Sequence, residues 1–235
     1  AILGDRIRMQ KHSLDDGVFI RSISTKGMHG GLSRIVGASV KLLGVYGQEM
    51  VIVETVGVGQ TELDIMDIVD TVVVVVTPES GDAVQAMKAG LSEIADIFVV
   101  NKADRDGAAR LASTLKSTLA TPNPDTNLIP QVLLTEAHNG NGIVRLKEAI
   151  NKHRQIMEAK SLLQQLRRDR RLKELIRIFT DTINKSATDT LSNSSKFNEI
   201  RDMVSSGAID PYSAVEQIIQ NNALLSSLMD LKSKP

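Results

Sequence analysis

Apolar residues follow two different patterns along this chain, and the change from one to the other falls near residue 150. In the first part, short apolar runs alternate with stretches in which apolar residues recur at helical spacing. The runs lie at residues 50–53, 72–76, 97–100 and 132–134. Runs of this kind, rich in β-branched residues, are typical of strands buried on both faces of a parallel sheet. The predicted helices between them span residues 32–46, 83–90 and 108–119.

This alternation of strands and helices, with short connections, predicts an α/β domain with a mostly parallel sheet and helices on both faces. Beyond residue 142 the pattern is helical, and the apolar stripe of this region consists of Leu172, Leu175, Ile176, Phe179 and Ile183. A polar break at 188–195 separates two further helices from it. We expect two domains, an α/β domain at residues 1–150 and an all-helical arm at residues 151–235.

The charges are balanced, with 28 Lys and Arg residues against 28 Asp and Glu residues. Without a net field to attract nucleic acid or an acidic membrane, recognition by charge has to be local. The longest apolar run is residues 72–76, far short of the about 20 residues that cross a bilayer. We expect neither a nucleic-acid nor a membrane partner. Cysteine is absent, which excludes disulfides and cysteine nucleophiles and is compatible with a reducing compartment.

Chemistry is expected where the predicted strands end, because a doubly wound sheet binds its ligands at the carboxyl ends of its strands. Glu54 follows the run at 50–53, and Gly57 comes three residues later. A carboxylate at this place can hold a magnesium ion or its waters, and a glycine lets the backbone approach a phosphate oxygen. An ordinary glycine-rich turn after a buried strand is the alternative interpretation.

The most specific signal is the sequence Asn101-Lys102-Ala103-Asp104, directly after the run at 97–100. A carboxylate such as Asp104 can accept two parallel hydrogen bonds from the ring NH and the exocyclic amine of guanine. Asn101 can bind the other side of the base, and the stem of Lys102 can lie over the ring. A polar loop after a strand remains the alternative.

A second loop, which follows the last predicted strand, can complete the base pocket with its backbone NH groups. Its residues are Thr135, Glu136 and Ala137. The four histidines show no paired spacing typical of a metal site.

Several motifs occur together and in order. They are Ile2-Leu3-Gly4-Asp5-Arg6, Gly27-x-x-Gly30-Gly31-Leu32, Glu54-Thr55-Val56-Gly57-Val58-Gly59-Gln60, Gly81-Asp82-x-x-Gln85-x-x-Lys88-x-Gly90 and Asn101-Lys102-Ala103-Asp104. This set closely resembles the MeaB/ArgK/MMAA family of P-loop GTPases, which are chaperones of cobalamin-dependent acyl-CoA mutases, chiefly methylmalonyl-CoA mutase. The resemblance is dense over residues 1–150 and returns near residues 204–211.

The resemblance implies a P-loop NTPase-type fold, GTP or GDP as ligand with Mg²⁺, and a homodimer formed by the helical arm. It implies that Asp5 and Glu54 serve the magnesium site, that Gly57 meets the γ-phosphate, and that Asn101, Lys102 and Asp104 read guanine. Asp82, Gln85 and Lys88 would belong to an extra switch that couples the nucleotide state to the mutase.

Two departures from the family pattern matter. The glycine-rich phosphate loop of the family, with the strand before it, does not occur within residues 1–235, so we expect this chain to be a fragment that is inactive by itself. The usual Thr-Ser-Ala base loop is replaced by Thr135-Glu136-Ala137.

The expected function of the complete protein is therefore that of a GTP-hydrolysing chaperone. It would gate cofactor loading or protect a cobalamin-dependent mutase, in the cytoplasm or, in a eukaryote, in the mitochondrial matrix. Two alternatives remain open. One is a non-catalytic module that binds the nucleotide base or a partner, and the other is an ATPase or kinase associated with amino-acid transport.

Overall fold

The structure is a computed structural model and describes residues 9, 12, 14–23, 31–55, 64–79, 91–119 and 128–229. The chain divides into two compact units, Ala1–Leu166 and Arg167–Pro235. The first unit thus ends beyond the boundary expected near residue 150. The helix that crosses residue 150 packs on the sheet through Ala149, and its His153 contacts Thr71 and Asp96.

The first unit contains a sheet, the helices around it and the beginning of a long helix. Its elements in chain order are α1 (Gly31–Val45), a 3-10 turn (Asp64–Asp67), β1 (Val73–Val76), α2 (Leu91–Ile94), β2 (Ile97–Val100), α3 (Ala108–Thr118), β3 (Gln131–Leu134), α4 (Ile143–Ala159) and the start of α5 (Leu162–Asn193). The predicted helix at 32–46 and strands at 97–100 and 132–134 are confirmed. The predicted helix at 83–90 lies outside the described residues.

The described strands form a parallel sheet in the order β1-β2-β3. Val73 pairs with Ile97, and Ile97 pairs in turn with Gln131, so the strands are in register at their first residues. All four residues of β2 are buried, as a central strand covered on both faces requires. The parallel order brings the carboxyl ends of the strands to one edge of the sheet.

Helices cover both faces of this sheet, as the sequence predicts. On one face Phe98 and Val100 of β2 pack against Ala112 and Leu115 of α3. On the other face Ile97 and Val99 pack with Ala149 of α4. Alternate residues of a strand point to opposite faces, so the continuous apolar run of β2 supplies two cores at once.

The predicted strand at residues 50–53 is not present. Residues 51–55 have no regular secondary structure, and the side chain of Ile52 is 83% exposed. A strand exists only through hydrogen bonds to a neighbouring strand, and among the described residues β1 pairs on one side only, with β2. Val75, at 57% exposed, likewise shows that β1 is not buried on both faces. Glu54 therefore follows a segment without regular secondary structure.

At the end of the sheet where the strands begin, a buried histidine joins the sheet to α4. His153 Nδ1 lies 2.9 Å from Thr71 Oγ1, and His153 Nε2 lies 3.3 Å from Asp96 Oδ1. The other oxygen of Asp96 accepts a hydrogen bond from the backbone NH of Val72 at 2.8 Å. These contacts join the segments before β1 and β2 to α4.

The second unit is helical. Its described elements are the remainder of α5, a 3-10 turn (Ser195–Phe197), α6 (Asn198–Ser205), α7 (Pro211–Gln220) and α8 (Asn222–Met229). The break predicted at 188–195 is shorter than expected, since α5 continues to Asn193. Asp210 caps α7, because its carboxylate accepts hydrogen bonds from the backbone NH groups of Tyr212 and Ser213 at 2.9 and 3.1 Å.

None of the helices in the described part of the chain combines the length and apolar character needed to cross a membrane.

Candidate functional site

Two loops that follow neighbouring strands meet at the carboxyl edge of the sheet, by which we mean the end of the sheet where its parallel strands finish. The backbone hydrogen bonds of the ladder extend one residue past β2 and β3, from Asn101 N to Val76 O at 2.9 Å and from Thr135 N to Val100 O at 3.0 Å. A further bond runs from Ala103 N to Thr135 O at 3.0 Å. These backbone hydrogen bonds alone fix the loop after β2 to the loop after β3.

The side chain of Asn101 joins the same two loops. Its Oδ1 accepts a hydrogen bond from Thr135 Oγ1 at 3.1 Å and another from Ala137 N at 3.1 Å. Thr135 is buried, so the first of these bonds is shielded from water. Because both bonds use the oxygen of the amide, the Nδ2 donor remains available to an acceptor at the sheet edge.

Lys102 has a backbone conformation that few L residues adopt. Its φ is 57°, in the left-handed region, and such strain persists where the surrounding structure fixes it, often at functional sites. Here the bonds of Ala103 N to Thr135 O and of Arg105 N to Lys102 O, both at 3.0 Å, hold the turn. This conformation gives the loop the sharp turn between Asn101 and Asp104.

Charged side chains surround the turn. Lys102 Nζ donates to Glu79 Oε2 at 3.2 Å, and Arg105 Nη1 lies 3.3 Å from Glu79 Oε1. Arg105 Nε also lies 3.7 Å from Asp104 Oδ2. Asp104 is 40% exposed, so its carboxylate can accept hydrogen bonds from a ligand at the surface.

The loop after β3 is fixed mainly by its own contacts. Glu136 Oε2 accepts from Asn139 Nδ2 at 3.2 Å and from Asn141 Nδ2 at 2.8 Å, and the backbone NH of Glu136 bonds Asn141 O at 3.0 Å. With the NH of Ala137 bonded to Asn101, the two backbone donors expected to face a base are engaged inside the protein. In this structure the loop acts by orienting Asn101.

Gly142 allows this loop to lie close to the end of β3. Its φ is +78°, and a Cβ atom at this position would lie 2.4 Å from Leu134 O. No other residue type fits both the left-handed backbone and this contact. The glycine begins α4, so the start of the helix and the base loop are placed together.

Of the predicted phosphate, magnesium and switch residues, the structure describes Glu54 alone. Glu54 is exposed, and no three His, Cys, Asp or Glu side chains among the described residues are arranged to hold a metal ion. The other predicted residues of these groups lie outside the described residues; they are Asp5, Gly57, Asp82, Gln85 and Lys88.

Local sequence patterns do not single out Glu79 and Arg105. Each is a single charged residue in a polar loop, and nothing in a local pattern tells such a residue from a solvated surface charge. Their position in the chain is the feature that could indicate a role at the site, because Glu79 follows β1 and Arg105 directly follows Asp104.

The arrangement favours a ligand that presents paired hydrogen-bond donors on one side and an acceptor on the other. A half-exposed carboxylate at Asp104 accepts from paired donors, and the amide nitrogen of Asn101 donates to a nearby acceptor. Guanine presents both, with a ring NH and an exocyclic amine on one side and the O6 and N7 acceptors on the other.

Three of the matches to known proteins show what this chain is similar to. Residues 1–192 match the family described as methylmalonyl Co-A mutase-associated GTPase MeaB. A protein of Pyrococcus horikoshii that is named as a GTPase is 44% identical over 223 residues, which are 94% of this chain and 69% of that protein. The mitochondrial methylmalonic aciduria type A homolog of Mus musculus is 32% identical over 163 residues, which are 68% of this chain and 39% of the mouse protein.

The fold is similar to that in the crystal structure of a LAO/AO transport system kinase, with a TM-score of 0.60 and 26% sequence identity. This match covers 81% of the present chain and 64% of that chain. Together with the parallel sheet and its covering helices, it confirms the predicted P-loop NTPase-type fold. The chain spans about two thirds of the length of the Pyrococcus protein and of the solved structure.

Proposed function

Because this chain belongs to the MeaB family of methylmalonyl Co-A mutase-associated GTPases, we propose that the protein binds guanine nucleotides at the carboxyl edge of its sheet and hydrolyses GTP. The observation that carries this proposal is the contact of Asn101 Oδ1 with both Thr135 and Ala137. It holds the loops after β2 and β3 together around the exposed carboxylate of Asp104, where a base has to be read.

In this proposal each residue of the base site has a separate task. Asp104 accepts from the ring NH and exocyclic amine of guanine, and Asn101 Nδ2 donates to the opposite edge of the base. The stem of Lys102 covers one face of the ring. Thr135, Glu136 and Ala137 hold these groups in place. Phosphoryl transfer depends mainly on positioning and electrostatics, so a fixed base contributes by aligning the phosphates.

The phosphate side of the site is proposed from the family resemblance. Magnesium, held with the help of Asp5 and Glu54, would supply charge stabilisation at the phosphates, and Gly57 would contact the γ-phosphate. Residues 1–235 contain no glycine-rich sequence with a Lys-Ser or Lys-Thr ending. We therefore propose that these residues alone bind GTP weakly and do not turn it over.

We further propose that the protein acts in the cytoplasm with a cobalamin-dependent acyl-CoA mutase, as a chaperone that gates cofactor loading or protects the mutase. The mutase named in the description of the matching family supports this partner. Asp82, Gln85 and Lys88 would couple the nucleotide state to it. The exposed apolar stripe of α5 supports a homodimer, since side chains of this size are usually covered.

A second candidate follows from the solved structure, which is titled as a transport system kinase. A kinase or ATPase in amino-acid transport would use ATP. Asp104 argues against adenine, because adenine offers a ring acceptor where guanine offers the ring NH. A module that binds a base without catalysis is the other alternative, and it would bind GTP without releasing phosphate.

The substitution Asp104→Asn tests the base site. In the protein expressed from its complete reading frame, we expect the affinity for GTP to fall by about tenfold or more, because two charge-assisted hydrogen bonds are lost. Affinity for XTP should rise, since the amide supplies a donor where xanthine has a carbonyl group. Competition of GTP, ATP and XTP against a fluorescent GDP measures all three, and phosphate release measures turnover.

Asp106→Asn is the matched control, because it removes the same charge from an exposed position two residues further along the loop. It should leave nucleotide preference unchanged. Equal competition by ATP and GTP in the unsubstituted protein would refute the guanine site. Titration calorimetry of the 235-residue chain with Mg²⁺ and GTP completes the test, and micromolar binding there would mean that other residues of this chain hold the phosphates.

A further inference from the structure

Arg105 lies between two carboxylates at the edge of the base site. Its Nη1 is 3.3 Å from Glu79 Oε1, and its Nε is 3.7 Å from Asp104 Oδ2. Glu79 also accepts a hydrogen bond from Lys102 Nζ at 3.2 Å. The two acids and two bases thus form a neutral cluster in which Glu79 makes the shorter contact with Arg105.

The longer contact, between Arg105 Nε and Asp104 Oδ2, affects recognition of the base. A carboxylate that accepts two parallel hydrogen bonds from guanine needs both of its oxygens. A guanidinium group is itself a strong partner for a carboxylate, with donors spaced to match it. Arg105 therefore competes with guanine for Asp104 whenever it is free to move toward that carboxylate.

We propose that Glu79 is a positioning residue that sets base specificity: it binds Arg105 and so keeps the Asp104 carboxylate available to guanine. The proposal rests on the guanine-binding function proposed above and extends it to a residue outside the Asn101–Asp104 motif. Glu79 follows β1, whereas Asp104 and Arg105 follow β2, so the neighbouring strand controls how the base is read.

The contact of Glu79 with Lys102 has a different effect on the ligand. It fixes the ammonium group at the end of a side chain whose backbone is left-handed at a φ of 57°. A lysine stem over the ring face touches every purine in the same way. Loss of this contact would change the affinity for all purine nucleotides together, whereas loss of the contact with Arg105 would change the discrimination between them.

All four side chains are between 40% and 58% exposed, so each contact is screened by water and salt. Exposed ion pairs of this kind change equilibria by about twofold to fivefold at most. An effect of that size on a ratio of two affinities is measurable, since errors common to both ligands cancel. Raising the ionic strength should reduce it.

The experiment measures the affinities for GDP and IDP in the protein expressed from its complete reading frame, by displacement of a fluorescent GDP. Hypoxanthine lacks the exocyclic amine and donates one hydrogen bond to Asp104 where guanine donates two. We expect Glu79→Gln to lower the ratio of GDP to IDP affinity by about twofold to fivefold, because Arg105 then pairs with Asp104. The double variant Glu79→Gln with Arg105→Gln should restore the ratio, since the competitor is gone.

Asp106→Asn is the control for the loss of a negative charge nearby and should leave the ratio unchanged. A fall of GDP and IDP affinity by the same factor in Glu79→Gln would overturn the proposal, and so would a double variant that stays as low as the single one. Failure of the proposed function looks different, because the unsubstituted protein would then bind ADP as tightly as GDP.

Discussion

At the residue scale, the base site is built from side chains that bond to the protein before they meet a ligand. Asn101 uses its oxygen on Thr135 and Ala137, and Glu136 uses its carboxylate on Asn139 and Asn141. Such bonds fix the rotamers of the binding groups in advance, so less conformational entropy is lost on binding. Asp104 is the exception, because its one described ion pair is the loose contact with Arg105.

Gly142 provides a residue-scale test of this preorganisation. We expect Gly142→Ala to destabilise the protein by about 3 kcal/mol or more, because it adds backbone strain and a clash with Leu134 O. The measurement is urea unfolding followed by circular dichroism.

Gly140→Ala is the matched control. Gly140 has nearly the same φ, +79°, but nothing lies within 4 Å of the added Cβ. It should therefore cost only the strain of the left-handed backbone, about 1–2 kcal/mol. If both variants lowered the free energy of unfolding equally, the close approach of Gly142 to Leu134 O would not contribute to stability.

At the scale of elements, α5 shows that an apolar stripe at helical spacing predicts a helix but does not show whether the stripe is buried. The predicted stripe is on the helix, yet Leu172, Leu175, Ile176 and Phe179 are between 52% and 66% exposed. Burying side chains of this size stabilises an association by about 1.5–3 kcal/mol each at full burial. We propose that this stripe is the surface through which two copies of the helical arm associate.

The substitution Ile176→Lys tests this surface. We expect it to weaken self-association by about tenfold or more, since a charge would be placed in an apolar interface. Sedimentation equilibrium of the complete protein measures the association. Thr188→Lys is the control, because it adds the same charge to an exposed position on the opposite side of α5. A monomeric unsubstituted protein would contradict the homodimer outright.

At the scale of the whole molecule, the proposed function requires that the nucleotide site influence a partner protein. The contacts of Glu79 with Lys102 and Arg105 link the segment after β1 to the loop after β2. The proposed coupling residues Asp82, Gln85 and Lys88 follow Glu79 in the sequence and lie outside the described residues. We propose that coupling follows this short stretch of sequence, from Glu79 to the proposed switch residues.

We expect Lys88→Ala to leave intrinsic GTP hydrolysis nearly unchanged and to reduce its stimulation by the mutase several-fold, because coupling free energies between sites are commonly about 1–3 kcal/mol. Phosphate release with and without added mutase is the measurement. Lys116→Ala, at an exposed position of α3, is the control. An equal fall in both rates would place Lys88 in the hydrolytic site instead.

The sequence by itself determined the elements whose signal is local. The runs at 97–100 and 132–134 became β2 and β3, and Asp210 caps α7, because β-branched crowding and cap chemistry depend on neighbours in the chain. The position of Asn101 and Asp104 at a strand end followed from the same signal. The base-reading motif could therefore be found before any contact was known.

The tertiary structure decided what depends on partners far along the chain. The run at 50–53 has the composition of a strand but has no described strand to pair with, so it stays outside the sheet. The contacts of Asn101 with Thr135 and Ala137 span 34 and 36 residues, and that of Glu79 with Lys102 spans 23. No local pattern encodes such distances, because they are set by the parallel order of the strands, which brings separate loops to one edge.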